Sequence, residues 1–131
     1  LFVVAQIAGA ILGVAIAHIM FDLPLFFASE HSRTGVAQWF SEFVATFGLL
    51  AVIISTSKSR PAVTPFAVAA YIVSAYWFTA STSFANPAVT IARAMTNTFA
   101  GIHPADVAGF ILAQILGACA ATLVFSWLYQ D

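Results

Sequence analysis

The sequence predicts an all-α membrane protein, and three observations carry the prediction. First, 62% of the 131 residues are hydrophobic and 7% are charged, against roughly 25% charged in an ordinary soluble domain. Four basic and five acidic side chains cannot cover a soluble protein of this size, so lipid must supply the apolar surroundings. Second, apolar runs near Leu1–Phe21, Val36–Ser57, Val63–Thr79 and Val107–Tyr129 can each cross roughly 30 Å of hydrocarbon at about 1.5 Å per residue. Third, the segment left over, about Ala80 to Ala105, is too short to cross and return as two full spans.

The first run opens at Leu1 with no basic leader, so no signal peptide is expected, and the missing initiator methionine points to a fragment. "DLPLFFASEHSRTG" follows, a polar loop with a proline and four acidic or basic residues, Asp22, Glu30, His31 and Arg33. The second run carries Glu42, and the third begins beside Pro61 and Pro65. Between them, "SKSRP" holds Lys58 and Arg60 without an acid, which the positive-inside rule places in the cytoplasm. The first and third spans then run outward, and the second and fourth inward. Cys119, the single cysteine, lies in an apolar run and reads as a packing residue.

In the leftover segment, Pro87 to Asn97 reads as a helix of about 11 residues and roughly 16 Å, half a bilayer. Asn86 suits an N-cap, and Pro87 fits the first turn, where a missing N–H costs nothing. Upstream, "ASTS" is small and polar, and non-helical backbone at membrane depth is tolerated only inside protein or beside water. "SFANPAVTIARAM" is therefore read as a re-entrant loop that enters from outside, turns at Asn86 near the midplane and returns as a half-helix.

"AQIAGAILG" from Ala5 recurs as "AQILGACAA" from Ala113, in spans of opposite direction, as an inverted repeat requires. Gly9 with Gly13, and Gly117 with Ala121, form matching small-residue faces for close helix approach.

These features together resemble the aquaporin and aquaglyceroporin (major intrinsic protein) family. Asn86-Pro87-Ala88 at the head of a half-helix, Glu42 in "SEFVATFGLL" and the two "AQI.GA" helices carry the likeness. The resemblance implies an aquaporin-like bundle, here four transmembrane helices and one half-helix. Residues 1–131 would form a partial channel domain supplying the third to sixth spans, with the first two spans and first NPA loop absent. "NPAVTIA" is wording more usual at the family's first loop, and Val89 stands where the second loop normally has arginine. Placement after the third of four spans favours the second loop. Valine here, with serines nearby, is similar to bacterial aquaglyceroporins associated with arsenic resistance.

The function so implied is a passive channel for water and small neutral solutes, glycerol-like polyols and arsenite among them. The complete protein would be a homotetramer in lipid, in a bacterial inner membrane, with no cofactor. Asn86 would aim its amide into the pore, while the N–H groups and dipole of the half-helix raise the barrier to cations. Glu42 would support the loop by accepting hydrogen bonds from its orphaned backbone, and Gln6 and Gln114 could do the same; plain helix–helix hydrogen bonding is the alternative for the glutamines. Ser74, Ser83 and Val89 fall at the family's constriction positions and imply a wide, weakly polar gate; helix packing is the other reading of the serines. Arg93, one turn beyond Val89, is a vestibule cation, or else snorkels outward or pairs locally.

No nucleophile–base pair, metal spacing or phosphate loop is evident, so an enzyme is not expected, and a net charge of −1 argues against nucleic acid. His18, His31 and His103 read as interfacial, and Trp39, Trp77 and Trp127 as interface anchors or packing residues. The rival function is a secondary transporter with a broken helix, in which Glu42 is the coupling carboxylate.

Overall fold

A computed structural model describes residues 1–129. Five α-helices follow in order: α1, Phe2–Met20; α2, Val36–Ser59; α3, Thr64–Phe78; α4, Pro87–Arg93; and α5, Val107–Leu128. Short 3-10 turns at Pro61–Val63 and Pro104–Asp106 lead into α3 and α5. With those turns, α3 and α5 join α1 and α2 as four helices long and apolar enough to cross a membrane. The architecture is an all-α membrane bundle with one short helix that does not cross.

Local chemistry sets the helix ends. Arg60 precedes Pro61 and is forced out of the helical region, to φ −148° and ψ 74°, which stops α2. Pro65 falls in the first turn of α3 and Pro87 in that of α4, where neither removes a needed donor. Within the spans, several hydroxyls bond back one turn. Thr56 donates to Val52, Ser74 to Ala70 and Thr122 to Ala118, at 2.7–2.9 Å.

The half-helix is shorter than its sequence implies. It ends at Arg93 rather than Asn97, and the reason lies in its terminal carbonyls. Those of Arg93, Ala94 and Met95 accept from the N–H groups of Ile102 (3.2 Å), Ser29 (3.0 Å) and Phe27 (3.2 Å). Ser29 and Phe27 belong to the loop between α1 and α2, which lies across the end of α4 and satisfies groups that another helical turn would have used.

Packing runs through small residues. The α2–α5 contact is built on Ala45, Ala113, Gly117 and Ala121, all buried, and a Cβ at Gly117 would meet the Phe43 carbonyl oxygen at 2.5 Å. The matching face of α1 behaves differently. Among the described residues, and apart from the adjacent backbone of α1 itself, no atom lies within 4 Å of a Cβ built at Gly9 or Gly13. α3 packs on α2, and α1 packs on α4. Beneath the loops, Phe84, Ile102 and Phe110 form a buried cluster, with the Phe84 and Phe110 rings edge to face at 5.2 Å.

Candidate functional site: the re-entrant loop

From Thr79 to Asn86 the chain has no regular structure, and three non-glycine residues hold positive φ: Thr82 (61°), Ser83 (53°) and Ala85 (47°). Each costs about 1–2 kcal/mol against an ordinary conformation. Such backbone turns successive N–H groups toward one side and makes a concavity that attracts an anion. The anion is Glu42. Its Oε1 accepts from the Ser81 hydroxyl (2.6 Å) and the Phe84 N–H (2.8 Å), and its Oε2 from the Ala85 N–H (2.9 Å) and the Gln114 amide (2.7 Å). Four donors fill the acceptor capacity of an ionised carboxylate at a residue with 0% exposure. Burying a charge is tolerable only on such terms.

Gln114 extends the network. Its amide also donates to the Thr90 hydroxyl at 2.9 Å, and that hydroxyl donates to the Asn86 carbonyl at 2.9 Å. Side chains from α2, α4 and α5 thus converge on one turn of backbone. At that turn the Asn86 side-chain oxygen caps α4, accepting from Ala88 (2.8 Å) and Val89 (3.4 Å). With the oxygen so occupied, the amide nitrogen points away from the cap. Among the described residues it has no partner.

The other candidate residues divide. Val89 and Arg93 line one cavity of about 620 Å³ between α1 and α4, together with Gly13, Ala17, His18 and Thr96. Ser74 and Ser83 are not brought to it. Ser74 is exposed on α3, with its hydroxyl on the Ala70 carbonyl. Ser83 is buried in the loop, and its hydroxyl has no partner among the described residues. Gln6 stands exposed near the start of α1 and, among the described residues, makes no hydrogen bond to the loop, although its local sequence matches that of Gln114. Arg93 does not snorkel. Its guanidinium lies 4.2 Å from the Phe84 ring centroid, with one terminal nitrogen buried and unpaired among the described residues.

Comparison with known proteins decides the family. No family model and no solved structure matches the chain. Aquaglyceroporin AqpS of Rhizobium meliloti (strain 1021), however, is 55% identical over 129 residues, a match that covers 98% of this chain and 55% of the relative. The chain belongs to the aquaporin and aquaglyceroporin family. It spans a little over half the length of that relative.

Within this aquaglyceroporin fold, the buried residues not foreseen include Thr90 of the network above and two others, Arg33 and His18. Arg33, in the loop before α2, is 4% exposed and donates to the carbonyls of Ser81, Phe99 and Gly101. Burial lowers its pKa from the ordinary arginine value, with the charge of Glu42 acting in the opposite sense. His18 is also buried rather than interfacial. Its Nδ1 donates to the Leu25 carbonyl at 2.8 Å, and its Nε2 pairs with the Thr96 hydroxyl at 2.8 Å. In sequence, both look like ordinary polar residues at a span end. The one available signal was the length of the 21–35 loop, long enough to lie over the half-helix.

Proposed function

We propose that the complete protein is a passive channel for water and small neutral solutes such as glycerol, and that arsenite in its undissociated form is among them. One observation carries the reading. The cap holds the Asn86 oxygen, so the side chain can offer only donors at the half-helix N-terminus. A donor there serves any passing hydroxyl oxygen, while the positive helix end opposes cations. Val89 adds a short apolar wall with no donor, which suits a polyol more than it suits a strict water filter.

Glu42, Gln114 and Thr90 are the residues that hold the turn in place; Asn86, Pro87 and Ala88 form it. Ser74, Ser83 and Val89 are proposed for the constriction, with Arg93 in the vestibule. The family likeness supports a homotetramer in the lipid of a bacterial plasma membrane.

The transporter reading asks Glu42 to bind and release a proton. All four of its acceptor positions are already filled by donors, and protonation would set a hydroxyl against one of them. The channel reading is tested on the full-length protein in proteoliposomes. Swelling is expected to follow the glycerol gradient alone, with the same rate constant whatever the proton or sodium gradient. Accumulation of glycerol against its gradient would show a coupled transporter instead.

A further inference from the structure

The re-entrant loop has two arms, and among the described residues the hydrogen bonds of Glu42 to them reach only one. Ser81, Phe84 and Ala85 are on the descending arm, before Asn86. The returning arm, after α4, passes through Phe99 and Gly101. Arg33 joins the two by hydrogen bonds, beside the apolar contact of Phe84 with Ile102. Its Nε donates to the Gly101 carbonyl at 2.7 Å and one terminal nitrogen to the Phe99 carbonyl at 2.7 Å. The other terminal nitrogen donates to the Ser81 carbonyl at 3.1 Å, and the guanidinium lies 5.1 Å from the Phe84 ring centroid.

Arg33 is itself held. Its backbone N–H donates to the Asp106 carboxylate at 2.8 Å, at the head of α5. Among the described residues, every hydrogen-bond acceptor of the guanidinium is a backbone carbonyl. A planar fork with fixed donor directions, bonded to three points of main chain, dictates distances between those points.

We infer that Arg33 is a positioning residue that sets the width of the pore mouth and so the largest solute admitted; this rests on the channel reading above. Two short connections carry its position to the proposed constriction. Ser81 is two residues from Ser83, along backbone that has no intrinsic preference for its shape, since Thr82 and Ser83 both hold positive φ. Phe84 lies against Arg33 and also against Arg93, which shares its cavity with Val89. Without the fork, two buried carbonyls, of Ser81 and Gly101, and the part-buried carbonyl of Phe99 lose this donor, and the arms are free to part and take in water. Lysine keeps the charge but offers a point ammonium, which cannot hold three carbonyls of two arms in one plane.

The test compares the full-length wild type with Arg33→Gln, Arg33→Lys and Asp106→Ala in proteoliposomes at matched folded incorporation. Permeability is read for glycerol and for the longer polyol xylitol. The ratio of glycerol to xylitol permeability is expected to fall several-fold in Arg33→Gln, with at most partial recovery in Arg33→Lys. Asp106→Ala, which frees the Arg33 backbone and the neighbouring Ser32 hydroxyl but leaves the guanidinium in place, is expected to move the ratio the same way by less. An unchanged ratio in folded Arg33→Gln, or a proportionate loss of both fluxes, overturns the inference, because general damage lowers all fluxes alike. If neither Arg33 variant folds, the ratio in Asp106→Ala decides on the same terms. A wild type that does not conduct glycerol down its gradient removes the channel reading and this inference together. A conducting wild type with unaltered variants removes only the inference.

Discussion

A carboxylate at 0% exposure in a membrane span is stable only while its donors remain, and Glu42 has four. Replacing it with alanine leaves two loop N–H groups, a hydroxyl and an amide without their acceptor. Each buried orphan costs about 1–3 kcal/mol. Glu42→Ala is therefore expected to lower the melting temperature and both water and glycerol permeability together, at every pH. A stable variant with only a shifted pH dependence would assign Glu42 to proton coupling. We propose Val89 as the residue for selectivity. Arginine there would bring five N–H groups and a long side chain into a place that now offers neither. In Val89→Arg the ratio of glycerol to water permeability is expected to fall by about tenfold, a barrier change of ~1.4 kcal/mol. Arg93 lines the same cavity, so folding is checked by melting before fluxes are compared. An unchanged ratio in a folded variant would place Val89 outside the constriction.

Among the elements, the α2–α5 pair bears the site, because Glu42 and Gln114 face each other across it. Their approach depends on Gly117, where a Cβ would meet the Phe43 carbonyl oxygen at 2.5 Å and the Phe47 nitrogen at 3.2 Å. Both atoms are backbone and cannot swing aside, so Gly117→Val must push the helices apart. The expected destabilisation is about 1–3 kcal/mol, read as a lower melting temperature than that of Ala108→Val, an exposed position on the same helix. Flux is expected to fall with it, since separation draws Gln114 from Glu42 and Thr90. The small-residue faces of α1 and α5 look equivalent in sequence. Among the described residues only that of α5 is occupied, and the same contrast explains why Gln114 reaches the loop and Gln6 does not.

For the whole molecule, the consequence is a bundle whose least regular segment is among its most enclosed. Residues 79–86 lack helix or strand, yet their backbone is held from α2 by Glu42 and from the 21–35 loop by Arg33. The 21–35 loop also closes the carbonyl end of α4. A turn held from both sides needs no change of shape while solute passes, and passive conduction at a rate independent of ion gradients is what such a turn permits. The swelling experiment thus examines a property of the assembled fold.

The membrane class, the four spans and the re-entrant half-helix could be read from the sequence. They rest on one-dimensional signals: apolar length, a proline after an N-cap, and polar residues too short of partners to face lipid. Glu42 and Asn86 were legible for a related reason, since a charge in a span and an Asn-Pro in an apolar region are anomalous wherever they occur. Arg33 and His18 carried no such anomaly. An arginine in a polar loop and a histidine at a span end are ordinary, and their burial arises only when the 21–35 loop folds over α4. The end of the half-helix at Arg93, the different fates of Gln6 and Gln114, and the pairing of Arg93 with Phe84 have the same origin. Each depends on which carbonyl, ring or helix face a distant segment brings within about 3–4 Å, the range over which hydrogen bonds and contacts act. Helix length and polarity are properties of neighbouring residues along the chain, and partnership is a property of the packed whole.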